Sequence, residues 1–299
     1  MRFRLNRINW KALRGNDKSA FNLGLAVVLI LFFALFSATL ISAVRFRAFL
    51  GENLTVEQKQ AVKHEKPFKI KARFFRRAPA RVAIILDDAG GDIPDYSAIC
   101  SIKEPLTISV LPDMPGSERT AKAMSDAGLE VMLHLPMESV NGSYRRSGGG
   151  MVNTSASDQE IKKIVLEDLT SVKWVAGVNN HMGSKATSDE RVMKDVLSVL
   201  KGTGLYFIDS RTSEKSVAFR SARGMHIRTA ENNVFLDGET EPAYVADSLK
   251  RLIAMAKKKG NAVGIGHATR PATIAALKEF MPEYEKDGVE FVYASELVK

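Results

Sequence analysis

The chain has 299 residues, of which 45% are hydrophobic and 26% are charged, so it is long enough for one large folded domain and too apolar to be disordered. Its formal net charge of +9 is unevenly distributed, because residues 1–79 contain 16 Lys and Arg against 4 Asp and Glu, whereas the rest contains 27 against 30. A basic N-terminal part on a slightly acidic domain favours a membrane surface over nucleic acid as a partner. Cys100 is the only cysteine, which excludes an internal disulfide and a multi-cysteine metal site.

The first predicted element is a transmembrane helix over residues 23–44. This stretch contains no charged residue, and a helix of that length rises roughly 33 Å, enough to cross a bilayer core. Six Lys and Arg lie in the 22 residues before it, and two, Arg45 and Arg47, lie in the 14 residues after it, so residues 1–22 are expected in the cytoplasm and the domain in a bacterial periplasm. A cleaved signal peptide is the alternative. The apolar run exceeds the core of roughly 7–15 residues that is usual in such peptides, and we favour a retained inner-membrane anchor.

Residues 45–79 form a second, basic segment. Lys and Arg recur in it with little apolar periodicity, which predicts a solvated linker that is also attracted to anionic lipid headgroups. The folded domain is then expected over residues 80–299.

Beyond Pro79, short apolar runs alternate with amphipathic stretches. The runs are Val82–Leu86, Leu106–Leu111, Leu129–Leu133, Val175–Val178, Leu205–Ile208, Val234–Leu236, Ala262–Ile265 and Val289–Tyr293. Such runs are typical of strands buried on both faces of a parallel sheet. Helices fit between them, and Ser157–Glu160 and Thr187–Glu190 both have the pattern of a capping box. Strands alternating with helices predict an α/β fold, either a (β/α) barrel or an open doubly wound sheet. Seven or eight strands favour the (β/α) barrel, in a distorted form.

Acidic and histidine side chains collect where the predicted strands end. They are Asp87, Asp88, Asp113, His134, His181, Asp209, Asp237 and His267. The carboxyl ends of parallel strands lie on one face of the fold, so these side chains are expected to converge there. A single Asp after a strand, such as Asp113 or Asp237, is equally a capping or turn residue. Two adjacent carboxylates repel each other unless a cation or a proton is close. Asp88, His134 and His181 are therefore predicted to bind a divalent metal, with zinc favoured.

Two other chemistries find no motif in the sequence. It contains no G-x-S-x-G nucleophile elbow, and Gly264–His267 does not complete a G-x-G-x-x-G motif. A serine hydrolase of that type and a Rossmann dinucleotide site are therefore not predicted.

Several sequence blocks resemble the divergent polysaccharide deacetylase family. They are LDD at Leu86–Asp88, HLPME at His134–Glu138, NNHMGS at Asn179–Ser184, FIDSRT at Phe207–Thr212, VFLD at Val234–Asp237 and GIGH at Gly264–His267. The resemblance covers roughly residues 80–298. It implies a fold related to NodB-type polysaccharide deacetylases, which is a distorted (β/α) barrel with metal-dependent N- or O-deacetylase activity.

The resemblance also implies roles for individual residues. Asp87 would be the general base, Asp88 and His134 metal ligands, and His267 the general acid. Asp209 would orient one of the acid–base groups. The metal would polarise the acetyl carbonyl of a carbohydrate and activate a water molecule.

The sequence departs from the wider superfamily at two positions. The second metal histidine of the superfamily lies four residues after the first, where this chain has Glu138. His181 stands where an Arg-x-Pro block is usual. We therefore infer His181 as the third ligand, with Glu138 in reserve. Two functions remain open: a deacetylase of an acetylated envelope carbohydrate, or a degenerate barrel that binds a glycan or an envelope protein without turnover.

Overall fold

The structure, a computed structural model, describes residues 79–91, 96–141 and 150–299. The predicted anchor over residues 23–44 and, apart from Pro79, the predicted basic linker lie outside the described residues. Of the helices that are described, none is both long and apolar enough to cross a bilayer.

Nine strands form one sheet in the described part of the chain, and every pairing in it is parallel. They are β1 (Ala80–Ala89), β2 (Thr107–Val110), β3 (Glu130–Met137), β4 (Val175–Met182), β5 (Tyr206–Asp209), β6 (Thr229–Glu231), β7 (Val234–Phe235), β8 (Asn261–His267) and β9 (Val289–Val292). Their order is β6-β5-β4-β3-β2-β1-β8-β7, and β9 adds to the beginning of β1.

The sheet curls into an open barrel. Ile85 of β1, Met132 of β3, Tyr206 of β5 and Val263 of β8 pack in one buried cluster although their strands are not all neighbours, so this cluster is the barrel interior. No ladder joins β6 to β7 within the described residues, which leaves the barrel open on that side. The predicted distorted (β/α) barrel is therefore confirmed.

Helices cover the outer face of the sheet. They are α1 (Ser97–Cys100), α2 (Ser117–Asp126), α3 (Asp158–Ser171), α4 (Glu190–Leu200), α5 (Ala218–Gly224), α6 (Pro242–Lys259) and α7 (Pro271–Lys286). The apolar faces of the longer ones pack on the outward-pointing strand residues in a second, larger core. Burial on both faces explains why the strands read as near-continuous apolar runs.

One of the two predicted capping boxes is confirmed. The Ser157 side chain accepts a hydrogen bond from the backbone N–H of Glu160, and the Glu160 side chain accepts one from Ser157. The second, at Thr187, is wrong, because Thr187 lies in a 3-10 turn and the helix begins after Asp189. The Asp189 carboxylate caps the backbone N–H groups of Arg191 and Val192, as a short acidic side chain does well at this position.

One strand was missing from the prediction. β6 has only three residues, Thr229–Glu231, and only one of them is apolar, so it has no apolar run. The eight predicted runs correspond to the other strands.

Alternation along the strands carries the interior rows up to the mouth of the barrel. Successive side chains of a strand point to opposite faces, so Asp87 continues the inward row of Ala83 and Ile85 on β1. His134 continues the row of Met132 on β3, and His267 that of Ile265 on β8. The apolar floor of the interior thus ends in a layer of polar side chains at the carboxyl ends of the strands.

Candidate metal centre and active site

Three of the predicted residues meet at the mouth of the barrel. The Oδ1 atom of Asp88 lies 3.2 Å from Nε2 of His134 and 3.0 Å from Nδ1 of His181. These two nitrogens lie 3.1 Å from each other. The three side chains form a group whose donor atoms could hold one metal ion, as the sequence predicted.

The triangle of donor atoms fits a divalent cation. Ligand atoms bound to a tetrahedral zinc at about 2.0–2.1 Å lie about 3.3 Å apart, close to the three separations observed. Asp88 Oδ1 is buried, yet among the described residues it has no hydrogen bond of good geometry. An unsatisfied carboxylate oxygen facing two imidazole nitrogens is a costly arrangement without a positive charge at its centre. Two imidazoles and one carboxylate suit zinc and other transition metals better than magnesium or calcium.

The pKa shifts of Asp88 and His134 also indicate that the cluster favours a positive charge. Burial opposes the ionisation of Asp88, but its contacts with His134 and His181, and their charge, outweigh burial and hold its pKa well below the usual range. Burial of His134 is in turn outweighed by Asp87 and Asp88, which raise its pKa. The pKa of His181 is lowered, mainly by burial. The paired carboxylates thus favour a positive charge at His134.

An irregular backbone brings both aspartates to the same site. In a regular strand Asp87 and Asp88 would point to opposite faces. Asp88 instead has φ of 62°, and the register between β1 and β2 shifts after Leu86. Asp tolerates this left-handed region better than most residues, at a strain cost on the order of 1 kcal/mol. As a result both carboxylates approach His134, at 3.6 Å for Asp87 and 3.2 Å for Asp88.

Asp87 has the environment of a proton acceptor. It is only 3% exposed, and this burial raises its pKa against the opposing charge of His134 and the hydrogen bond from Asn179. A carboxylate with a raised pKa holds a proton more readily than one in water. Its Oδ1 atom accepts the Asn179 amide at 2.9 Å, and its Oδ2 atom lies on the side of His134.

His267 is held by a carboxylate that the sequence reasoning left without a role. Asp237 Oδ1 lies 2.8 Å from His267 Nδ1, and Oδ2 accepts the His267 backbone N–H at 2.8 Å and the Thr273 hydroxyl at 2.7 Å. Burial works against the charged imidazole, but the hydrogen bond and charge of Asp237 outweigh it and raise the pKa of His267. The other ring nitrogen, Nε2, lies 3.9 Å from Asp88 Oδ2, so it faces the cluster.

Asp209 lies elsewhere. It is fully buried at the end of β5, and its carboxylate accepts hydrogen bonds from the backbone N–H groups of Arg211 and Phe219 and from the Ser216 hydroxyl. No hydrogen bond between Asp209 and either Asp87 or His267 is found in the described part of the chain; Asn179 contacts Asp87, and Asp237 contacts His267.

Glu138, the reserve ligand, is occupied by structural contacts. One of its carboxylate oxygens accepts from both the backbone and the hydroxyl of Thr154, and the other pairs with Lys185 at 2.7 Å. These contacts tie the segment after β3 to the segment after β4. Glu138 is not a member of the group of donor atoms that could hold one ion.

Asn179 and Ser109 are the other residues that the sequence reasoning missed. Asn179 contacts Asp87, His134 and Ser109 at once. Its position two residues before His181 on one strand was the available signal, because alternation puts both side chains on the same face. Ser109 sits inside an apolar run and gave no signal.

The fold and the cluster together define a parallel (β/α) barrel with an Asp–His–His site at its mouth. The sequence model described as divergent polysaccharide deacetylase matches residues 84–298, and the chain belongs to that family. A protein of Haemophilus influenzae is 32% identical over 213 residues, covering 71% of this chain and 75% of its own length. Escherichia coli YibQ is 31% identical over 218 residues, covering 73% and 67%. Both relatives are described as uncharacterized.

A solved structure supports the fold. The crystal structure of an uncharacterized protein from Agrobacterium tumefaciens superposes with a TM-score of 0.67 at 21% identity, over 75% of this chain and 91% of that one. The expected family and the expected architecture are therefore both confirmed.

Proposed function

We propose that the protein is a metal-dependent hydrolase that removes acetyl groups from an N- or O-acetylated carbohydrate of the cell envelope. The observation that carries the proposal is the triangle formed by Asp88, His134 and His181, with Asp87 next to His134 and the His267–Asp237 pair next to Asp88. Family membership supports the same reaction class.

The residues around the triangle supply the proton transfers that amide or ester hydrolysis needs. A bound divalent cation would act as a Lewis acid towards the acyl carbonyl. Asp87 takes a proton from the attacking water, because its raised pKa makes it a competent base. As the bond between the carbonyl carbon and the leaving nitrogen or oxygen breaks, His267 gives its Nε2 proton to that atom. Asp237 keeps the imidazole oriented and favours its charged form.

The place of action belongs to the same proposal. An uncharged stretch over residues 23–44, with six Lys and Arg in the 22 residues before it and two in the 14 residues after it, supports a single inner-membrane anchor with the domain in the periplasm. A basic segment after the anchor would keep the barrel near anionic headgroups. Acetylated envelope glycans are the carbohydrates within reach there.

A second candidate is a barrel that binds glycan without turnover. It is favoured by Glu138, which stands at the position of a superfamily metal histidine and is tied to Thr154 and Lys185. In that case the site would hold a carbohydrate, and Asp87 and His267 would only form hydrogen bonds to it.

Acetate release separates the two candidates. The zinc-loaded domain is incubated with a panel of N-acetylated chito-oligosaccharides and peptidoglycan fragments, and the His134→Ala variant is the matched control. Release by the wild type and its loss in the variant support the deacetylase. Glycan binding by the wild type without acetate release across the panel would replace the deacetylase by the binding module.

A further inference from the structure

Asn179 lies at the centre of the polar layer at the barrel mouth. It is fully buried on β4 and is the register partner of His134 on β3. Its side-chain oxygen lies 2.6 Å from the Ser109 hydroxyl and 2.7 Å from His134 Nδ1. Its side-chain nitrogen lies 2.9 Å from Asp87 Oδ1. One amide thus contacts three strands besides its own.

The contact with Asp87 fixes which way the amide points. An amide nitrogen only donates and an amide oxygen only accepts. The acceptor-only carboxylate of Asp87 requires the nitrogen on its side, since a reversed amide would place oxygen against oxygen in a buried site. The oxygen then faces Ser109 and His134, which both donate to it. His134 Nδ1 must therefore carry its proton.

The proton on Nδ1 decides what the other nitrogen can do. A neutral imidazole has one protonated and one unprotonated nitrogen, so Nε2 of His134 presents its lone pair. This atom is the one that faces Asp88 and His181. The opposite tautomer would turn an N–H group towards the point where the donor atoms converge and could not bind a cation.

We propose that Asn179 is the positioning residue that sets the tautomer of His134 and thereby the metal affinity of the site. The proposal rests on the proposed metal site but not on the proposed substrate. Asp87 contributes by holding the amide in its orientation, whereas the Ser109 hydroxyl can donate or accept and adapts to whichever amide atom faces it. The same amide also contacts Asp87. Asn179 therefore orients both the proposed proton acceptor, Asp87, and the proposed metal ligand, His134.

Two substitutions separate this role from simple filling of space. Asn179→Leu keeps a similar volume and removes the acceptor for His134. Asn179→Asp also keeps the shape and retains an oxygen that accepts from Nδ1. Its other oxygen faces Asp87 Oδ1, where a proton shared between the two carboxylates replaces the amide N–H. Loss of a residue that orients a metal-bound histidine typically weakens metal binding by about 10–100-fold, so we expect that loss for Asn179→Leu. We expect Asn179→Asp to remain within about one order of magnitude of the wild type.

The measurements are zinc affinity by chelator competition and the side-chain ¹⁵N spectrum of His134 in the zinc-loaded protein. The wild type and Asn179→Asp should show His134 bound through Nε2 with a proton on Nδ1. Asn179→Leu should lose that signature, and thermal unfolding of the metal-free proteins controls for folding. Ser109→Ala, which leaves the oxygen to His134 alone, is the matched control expected to bind zinc normally.

Either of two results would overturn the proposal. One is wild-type zinc affinity in Asn179→Leu, and the other is an equal loss in Asn179→Leu and Asn179→Asp. If Asn179→Leu does not fold, Asn179→Ala replaces it with the same expectation. Because none of these readouts requires a substrate, a failure to release acetate would count against the proposed function and leave this test intact.

Discussion

Asp237 pairs with His267, and the effect of replacing Asp237 by Asn follows from the hydrogen bonds between them. Asp237→Asn preserves the shape of the side chain and removes its charge. The Oδ2 position accepts from two donors, the His267 backbone N–H and the Thr273 hydroxyl, so the amide oxygen is expected to stay there. The amide NH₂ group must then face His267 Nδ1, and it can only donate to it.

A donating amide at Nδ1 prevents His267 from becoming a charged imidazolium, which is the form that gives up a proton. With Nδ1 accepting from the amide, the ring is neutral and its remaining proton on Nε2 is held too tightly to be given to a leaving group. General acid–base groups contribute about 10²–10⁴-fold to the rate, so we expect Asp237→Asn to lose acetate release from an N-acetylated oligosaccharide by that factor. Zinc affinity should not change, because Asp237 does not belong to the donor triangle.

An activated ester separates the acid role from other damage. An aryl acetate has a leaving group that needs no proton, so its hydrolysis should fall much less in Asp237→Asn than that of the oligosaccharide. Thr273→Val is the matched control, because it removes one donor to Asp237 and leaves the contact with His267, and it should cost less than about tenfold. Equal losses on both substrates in Asp237→Asn, or no loss on the oligosaccharide, would refute the reasoning.

Three further outcomes are expected. Asp87→Asn should bind zinc as the wild type does but release acetate about 10²–10⁴-fold more slowly; normal acetate release would exclude Asp87 as the base. Gly177→Ala should lower the free energy of unfolding by about 1–3 kcal/mol in urea titrations, because its Cβ atom would overlap the Tyr206 ring. Gly224→Ala, which meets nothing within 4 Å, is its control, and equal effects would contradict the packing argument. Finally, a C-terminal alkaline phosphatase fusion should be active outside the cytoplasm, because residues 23–44 are predicted to span the membrane; activity only of a cytoplasmic reporter would contradict that topology.

Most of the fold could be predicted from the sequence because apolar runs record burial directly. Eight strands were identified from such runs, and the parallel barrel followed from their alternation with helices. β6 was missed because Thr229–Glu231 has a single apolar residue. The prediction of Thr187 as an N-cap is wrong because a capping-box pattern does not show which of two nearby polar residues, Thr187 or Asp189, directly precedes the helix.

The candidate site could be predicted where a residue stands at the carboxyl end of a strand. Asp87, His134 and His267 do so, and because the carboxyl ends of parallel strands meet on one face, these residues were expected together. The partners of these residues could not be assigned, because a hydrogen bond between strands depends on register and curvature. Asp237 meets His267 and Asp209 does not, although both follow a strand. Asn179 likewise acquires its role only when β1, β2 and β3 surround it.

Asp88, His134 and His181 are proposed to bind one divalent cation. The most direct test is the zinc content per chain after equilibrium dialysis, determined by elemental mass spectrometry for the wild type and the His134→Ala, His181→Ala double variant. We expect one tightly held ion per wild-type chain and none in the double variant, because only one of the three ligands would remain. One tightly held zinc ion per chain in the double variant would contradict the claim, since it would place the ion at other residues.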